Sequence, residues 1–269
     1  MRSYLNDLLD AAEKSGKLNL RGQDIVMSLP GVSPEALRQA LQRQQQKGRI
    51  VRASRGSGHW VIIPRQDAAA GAPPLETWLD AYLAKSLNLP YYVGLLSAAQ
   101  VYGVSPQAVM VTQVMVGKSR RPVQVGQHRL VFHERARPED MPTRWHESPG
   151  GRFKVSTPEL TAVELVSRQH LVGGVSRVFE VLRGLADSIS TEGLILALGA
   201  VQEVPTAQRL GALFSKADRP ALASVVRTWL DGRRIRIIAL SPGDTADVTA
   251  TLDARFKVLI PDSFQPANT

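Results

Sequence analysis

The stretch GVSPEALRQALQRQQQKGRIVRASRGSGHWVII, residues 31–63, decides the fold of the N-terminal part of the chain. Its residues 33–35 (Ser-Pro-Glu) predict a helix start, because they combine an N-cap hydroxyl, a proline at the first helical position and an acid in the first turn. Leu37 and Leu41 recur at helical spacing and share one face. Residues 47–48 (Lys-Gly) predict the helix end, since a cation suits the negative end of the helix dipole and a glycine ends the last turn.

The opposite face of this helix carries mainly arginine and glutamine. Two short strands are predicted to follow, residues 50–54 and 59–63, joined by a glycine-containing tip at 55–58. Any surface helix has a polar outer face, so the helix alone is not diagnostic. The choice of arginine and glutamine, together with the basic two-stranded ribbon, is typical of the recognition helix and wing of a winged helix-turn-helix.

Arginine and glutamine are the side chains that read base edges in the major groove. An arginine can bind both acceptors of guanine, and a glutamine can pair with adenine. We therefore expect Arg38, Gln39 and Gln42 to contact bases, with Arg43 either joining them or binding a phosphate. Further candidates for DNA contact lie at the helix end and in or beside the wing: Lys47, Arg49, Arg52, Arg55, Ser57 and His59.

The residues before this stretch complete the predicted domain. Leucines at helical spacing predict a first helix over 3–15, an apolar–polar alternation predicts a strand near 18–20, and a short second helix is expected over 22–29. A Pro-Gly pair at 30–31 then breaks the chain. We therefore assign residues 1–66 to a winged helix-turn-helix domain.

Composition favours a polyanionic partner for this domain. The chain of 269 residues has a formal net charge of +9. Residues 1–66 hold 11 lysines and arginines against 5 acidic residues, so most of the excess charge lies in one quarter of the chain. Many soluble proteins are basic without binding nucleic acid, so charge supports the assignment without proving it.

Several functional classes are disfavoured by composition. The absence of cysteine excludes disulfides, thiolate nucleophiles and thiolate metal sites. Apolar runs stay shorter than a membrane span requires, and the first helix has acids among its leucines, unlike a signal peptide. We expect a cytoplasmic protein without a membrane partner, cofactor or metal.

A second domain is expected after a linker. The segment at 64–74 (PRQDAAAGAPP) lacks an apolar period, and we place the linker at 67–74 and the second domain at 75–269. Helices are predicted over 75–87, from Pro90 to near Tyr102, and at several places after Pro158. Strands are predicted near 109–116, 123–125, 129–133, 235–240 and 256–260. The fold class is α+β, with helices around a small mixed sheet in the second domain.

Four segments of the second domain resemble the AbiEi family of antitoxins from bacterial type IV toxin–antitoxin systems. They are LPYYVGLLSAAQVYG (89–103), VMVTQVMVGKSRRPVQVGQHRLVFH (109–133), VSTPELTAVELV (155–166) and AQRLGALF (207–214). The resemblance implies an autoregulatory repressor that binds inverted repeats in its own promoter through the N-terminal domain. We expect two copies on the operator, because one 66-residue module buries too little surface for high affinity alone. The resemblance also implies that the C-terminal domain opposes a nucleotidyltransferase-like toxin without forming a stable complex.

A second basic cluster follows the predicted strand at 109–116. Its members are Lys118, Arg120, Arg121 and Arg129, with Arg135 and Arg137 nearby. The cluster is either a solvated hairpin tip, an additional grip on phosphates, or a surface used in antitoxicity through RNA or an acidic partner.

The sequence contains no constellation that predicts catalysis. It lacks a phosphate-binding glycine loop, a nucleophile elbow and an HExxH motif. His146-Glu147 and the pair Asp244 and Asp247 are the nearest approach to acid–base or metal chemistry, and turn chemistry explains the latter pair equally well. We predict no enzyme activity. The alternatives are a nucleic-acid-modifying enzyme that uses the winged helix for delivery, and a ligand-sensing transcription factor without an antitoxin role.

Overall fold

Leucines spaced along the first helix pack against the helix and ribbon that follow. The computed structural model describes residues 2–53, 58–105, 111–242 and 249–264. The N-terminal module contains, in chain order, α1 (Arg2–Lys14), β1 (Asn19–Arg21), α2 (Gly22–Ser28), α3 (Pro34–Gln46), β2 (Ile50–Arg52) and β3 (His59–Ile62). Among the described residues, its strands form an antiparallel sheet in the order β1-β3-β2. This arrangement is that expected of a winged helix-turn-helix.

The core of the N-terminal module explains the helix spacing seen in the sequence. Leu9 and Ile25 are buried from α1 and α2, and Leu37 and Leu41 are buried from α3. They share one apolar cluster with Ile50, Trp60 and Ile62 of the ribbon. The leucine face of α3 is therefore directed inward, which leaves the arginine–glutamine face outside.

A mixed sheet follows the N-terminal module. Within the described ranges it has six strands, in the order β6-β7-β5-β4-β9-β8. Their bounds are β4 (Tyr91–Val93), β5 (Thr112–Val116), β6 (Val123–Val125), β7 (His128–Glu134), β8 (Thr143–Ser148) and β9 (Gly151–Ser156). β5 pairs with β7 in parallel and β6 pairs with β7 antiparallel. The predicted strands near 123–125 and 129–133 are thus confirmed, whereas β8 and β9 were not predicted.

The remaining elements are mostly helical. They are α4 (Leu95–Val101), α5 (Pro158–Ser167), α6 (Val175–Leu185), α7 (Thr191–Val201), α8 (Val204–Lys216), α9 (Pro220–Leu230), β10 (Ile238–Ala239), β11 (Ala250–Asp253) and β12 (Val258–Pro261). α5 is buried along nearly its whole length. Its Glu159 accepts hydrogen bonds from the backbone N and the Oγ of Ser190, at 2.9 and 3.0 Å, where α7 begins. These helices and mixed sheets confirm the α+β class.

The described residues divide into two compact units whose boundary differs from the predicted one. The first unit contains the described parts of Met1–Tyr92, Met110–Pro138 and Trp145–Lys154, and the second contains those of Val93–Val109, Glu139–Arg144 and Val155–Thr269. Most of the six-stranded sheet therefore belongs to the same unit as the N-terminal module.

The predicted linker at 67–74 is packed within the first unit. Residues 65–70 form a short 3-10 helix, and Ala72 is buried. His128 Nε2 lies 3.0 Å from the carbonyl oxygen of Pro73. A Cβ on Gly126 would lie 2.3 Å from the carbonyl oxygen of Gly71, so the segment and the β6–β7 turn approach closely. Alanine and proline content indicated a linker, but these contacts fix the segment.

Two helices predicted after this segment are not formed as expected. Residues 75–87 contain a 3-10 turn (Leu75–Thr77) followed by a π-helical segment (Ala81–Ser86). Residues 91–93 form a buried strand, and the helix begins only at Leu95. Aromatic and β-branched side chains suit a strand buried on both faces, which explains why a continuous apolar run was mistaken for a helix start.

Candidate nucleic-acid interface

Local capping and burial hold α3 with its polar face outward. The Oγ of Ser33 accepts a hydrogen bond from the backbone N of Ala36 at 3.3 Å, and Pro34 occupies the first turn. Leu37 and Leu41 are buried, and the opposite, arginine–glutamine face of α3 is exposed, except that Arg43 is half-buried. We call this outer face the reading face, because it carries the side chains predicted to contact bases. The exposed members of that face are Arg38, Gln39, Gln42 and Lys47.

A polar contact that the sequence did not indicate also orients α3. Gln44 is buried, and its Nε2 donates to Asn6 Oδ1 of α1 at 2.7 Å. Because a buried amide needs a partner, this bond favours one rotation of α3 on α1. The glutamines around Gln44 look the same in the sequence, and the contact with Asn6 distinguishes Gln44 from them.

Glu35 modifies the electrostatics of the reading face. Its Oε1 accepts hydrogen bonds from Arg38 Nη2 at 2.8 Å and from Gln39 Nε2 at 3.1 Å. Hydrogen bonds from Arg38 and Gln39 hold the pKa of the Glu35 carboxyl below its usual value. Arg38 and Glu35 are both largely exposed, so water screens the pair and Arg38 can exchange this partner for another acceptor.

Arg49 belongs to the scaffold of the module, contrary to its inclusion among the DNA-binding candidates. Its Nη2 bonds the carboxylate of Asp10 and lies 3.1 Å from Glu13 Oε2, both on α1. Its side chain is only 21% exposed. The start of β2 faces the C-terminal half of α1, and two carboxylates there bind the guanidinium.

His59 is likewise buried instead of lying on the wing surface. It is 6% exposed, and its ring packs against the Tyr82 ring in a T-shaped arrangement with the ring centroids 5.6 Å apart. Burial lowers the pKa of His59, whereas a hydrogen bond with the backbone of Ser86 acts in the opposite direction. We remove His59 from the candidate interface, because β3 is covered by the segment around Tyr82.

Arg52 is the described wing residue that reaches the surface. Its guanidinium carbon lies 5.6 Å from the ring centroid of Trp60, its partner in the β2–β3 register. Trp60 is buried, and the exposed guanidinium of Arg52 packs over its indole ring. Arg55 and Ser57, the candidates at the wing tip, lie outside the described residues.

Two members of the second basic cluster and the wing line one cleft of the first unit. Lys118, Arg120 and Arg121 lie on the turn between β5 and β6, Arg129 lies in β7, and all four are exposed. Arg120 and Arg121 line a cleft of about 1190 Å³ together with Arg52 and Gln45. Gln45 was not among the sequence candidates. The remaining lining residues are Val51, Ala53, His59, Tyr82, Leu87, Pro122, Val123, Gln124 and Phe132.

The acid–base candidates are separated by the fold. His146 packs its ring against Phe153 at 5.0 Å, whereas Glu147 pairs with Arg152 at 3.7 Å. Asp244 and Asp247 lie outside the described residues. In the described ranges there is no group of three or more histidine, aspartate or glutamate side chains arranged to hold a metal ion. Likewise, no helix in the described part of the chain has the length and apolar character needed to cross a membrane.

Comparison with known proteins agrees with this architecture. The crystal structure of the RV2827C protein from Mycobacterium tuberculosis superimposes with a TM-score of 0.69 at 14% sequence identity, covering 96% of this chain and 91% of that chain. At this identity the likeness concerns the fold alone. A search of curated proteins finds no match.

A family model gives the identity of the central part of the chain. Residues 92–216 match the AbiEi antitoxin C-terminal domain. The matched region spans α4 to α8, and the match is to an antitoxin family rather than to a family of enzymes. It confirms the resemblance seen in the sequence and supports a toxin–antitoxin role. Residues 92–216 therefore belong to the AbiEi antitoxin C-terminal domain family.

Proposed function

We propose that this chain is a DNA-binding autorepressor and the antitoxin of a type IV toxin–antitoxin system. The observation that carries the DNA-binding half is the outward arginine–glutamine face of α3 in the same unit as Arg52 and the basic turn. The family match supports the antitoxin half.

Base recognition would use the exposed middle of α3. Arg38, Gln39 and Gln42 carry the donor and acceptor patterns that distinguish guanine and adenine in the major groove. Arg38 would exchange Glu35 for a guanine edge, which costs little because the Glu35 pair is solvated.

Backbone binding would use cations on both sides of the cleft. Arg43 and Lys47 flank the base-reading side chains, and Arg52, Arg120 and Arg121 surround the cleft. Phosphate contacts of this kind set position and affinity without reading sequence. The basic turn would therefore lengthen the footprint beyond that of the α3 helix.

We propose that two copies bind an inverted-repeat operator. A single module of this kind buries roughly 600–1,000 Å² of protein surface on DNA, less than most specific complexes need. A symmetric pair of half-sites doubles that area and sets a half-site spacing near one helical turn.

The antitoxin role would be directed against a nucleotidyltransferase-like toxin, without a stable complex between the two proteins. A direct test is co-expression with such a protein encoded in the neighbouring open reading frame. We expect the full chain to restore growth, and failure to restore it would contradict the antitoxin half.

Point variants separate the two roles better than truncation does. Residues 75–92 belong to the same unit as the N-terminal module, so a cut at residue 75 would divide a packed unit. The double variant Arg38→Ala/Arg52→Gln should lose operator binding and still restore growth. Loss of both properties in a folded variant would contradict separate roles.

A further inference from the structure

A basic surface lies on the second unit, beyond the residues that match the antitoxin family. It is formed by the segment after α9 and by the turn before β12. We define this C-terminal basic patch by five exposed cations: Arg233, Arg234, Arg236, Arg255 and Lys257.

A buried amide joins the two segments of the patch. Gln208 is 1% exposed, and its Nε2 donates to the carbonyl oxygens of Arg236 and Phe256, at 2.8 and 2.7 Å. The backbone N of Ile238 donates to the carbonyl oxygen of Lys257 at 3.0 Å. The backbones that carry Arg236 and Lys257 are therefore held side by side.

Two patch arginines are also fixed on α9. The guanidinium carbon of Arg233 lies 3.8 Å from the ring centroid of Trp229, and its Nε donates to the Trp229 carbonyl oxygen at 2.9 Å. Arg255 Nη2 donates to Ser224 Oγ at 2.9 Å. These contacts orient the guanidinium groups without neutralising their charge.

Within the described residues, no carboxylate forms an ion pair with the five cations. Asp231 is paired with Arg227 at 3.3 Å, and Asp253 Oδ1 accepts from the backbone N of Phe256 at 3.0 Å. Clustered like charges repel one another, and a bound polyanion relieves that repulsion.

We propose that the C-terminal basic patch binds single-stranded nucleic acid through its phosphates and an unstacked base. Four of the five cations are arginine, whose planar fork matches phosphate oxygens. The stacked pair of Trp229 and Arg233 offers a planar group to a base that a duplex keeps stacked inside. Ile237, which is 58% exposed, follows Arg236 in the chain and adds apolar surface to the same segment. An acidic protein could pair with the five cations, but it would leave the planar Trp229–Arg233 pair unused.

The test uses the full chain and a matched pair of double variants. Arg234→Gln/Arg236→Gln removes two exposed charges from the patch, and Arg183→Gln/Lys216→Gln removes two exposed charges from α6 and α8. The probes are a fluorescein-labelled 12-nucleotide RNA of mixed sequence, the DNA strand of the same sequence, and the corresponding duplex DNA.

We expect the patch variant to bind the RNA about tenfold more weakly, with a salt slope smaller by about 1.4, since each single-strand phosphate contact contributes about 0.7. The control variant should change affinity less than about twofold. Trp229→Leu should weaken the single strands and leave duplex binding unchanged. Similar affinity for RNA and DNA strands, or tighter RNA binding, would each support the proposal and identify the strand that is preferred.

Three outcomes would overturn the proposal: equal losses in the patch and control variants, an equal effect of the patch variant on duplex and single strands, or poly-glutamate that displaces RNA as well as unlabelled RNA does. None of these measurements uses the operator. They therefore stand apart from the proposed operator binding, which can fail while this proposal holds.

Discussion

Arg49 Nη2 lies 3.1 Å from Glu13 Oε2, and it also bonds the carboxylate of Asp10. Arg49, which directly precedes β2, therefore connects the ribbon to α1 through two ion pairs. Arg52, only three residues later, is exposed. Arg49 therefore stabilises the module, whereas Arg52 is available to a ligand.

Arg49→Ala should lower the melting temperature by a few degrees, whereas Arg52→Ala should leave it nearly unchanged. The reason is that Arg49→Ala removes the partner of two carboxylates. Thermal unfolding followed by circular dichroism measures both. A similar loss of stability in the two variants would contradict the different roles assigned to them.

The stabilisation by Arg49 should depend on pH. The hydrogen bond from Arg49 lowers the pKa of Asp10 in the folded chain, so the folded state favours the ionised carboxyl. The stability contribution is then full above about pH 4, near the unfolded value, and is lost as the pH falls through the lower folded pKa. Melting temperatures of the wild type and Arg49→Ala should converge in acid. A difference that grows in acid would contradict this account.

Glu35→Gln should raise the affinity for DNA several-fold. The substitution removes a negative charge from the reading face and weakens the hydrogen bonds that Oε1 of residue 35 accepts from Arg38 and Gln39, because a neutral amide oxygen is a weaker acceptor than a carboxylate. Fluorescence anisotropy with operator and scrambled duplexes measures the change. Glu180→Gln, the same charge change on α6, is the control and should have a smaller effect. Weaker binding by Glu35→Gln would indicate that Glu35 positions Arg38 for its base.

The cleft arginines should act on all DNA sequences alike. Arg120→Gln/Arg121→Gln should weaken operator and scrambled duplexes equally and reduce the salt slope by about 0.9 for each phosphate that is no longer bound. Arg129→Gln changes an exposed cation of the neighbouring strand that does not line the cleft, and it serves as the control. An unchanged salt slope in the double variant would remove the basic turn from the DNA-binding surface.

Alanine substitutions at two glycines of the second unit should change the free energy of unfolding in opposite directions. A Cβ on Gly211 of α8 would lie 2.2 Å from the ring of Phe256, so Gly211→Ala should destabilise the fold by about 1–3 kcal/mol. A Cβ on Gly199 of α7 would meet no atom of the described residues within 4 Å, and Gly199→Ala should stabilise by about 0.4–1 kcal/mol. Denaturant unfolding gives both values, and equal shifts would contradict the packing at Phe256.

Local signals in the sequence were sufficient to predict the bounds of helices whose first and last turns contain capping residues. α3 begins at Pro34, directly after the Ser33 N-cap, as predicted. Such caps act within one helical turn, so a single sequence contains the information.

Elements fixed by distant contacts could not be predicted in the same way. Tyr91–Val93 becomes a strand because the sheet supplies its hydrogen-bond partners, and β9 joins it through Val93 and Val155, which are far apart in the chain. In the candidate site, too, some features follow from the local sequence and others depend on residues distant in the chain. The outward face of α3 follows from its leucines, but the burial of His59 depends on Tyr82, and the engagement of Arg49 depends on two carboxylates of α1.

The central claim is that α3 reads DNA sequence, and the specificity of Arg38→Ala tests it most directly. Binding is measured by gel shift on the chain's own promoter DNA and on a scrambled duplex at one salt concentration. We predict a loss of about 1–3 kcal/mol on the promoter DNA and little change on the scrambled duplex. An equal loss on both duplexes, or no loss on either, would contradict the claim.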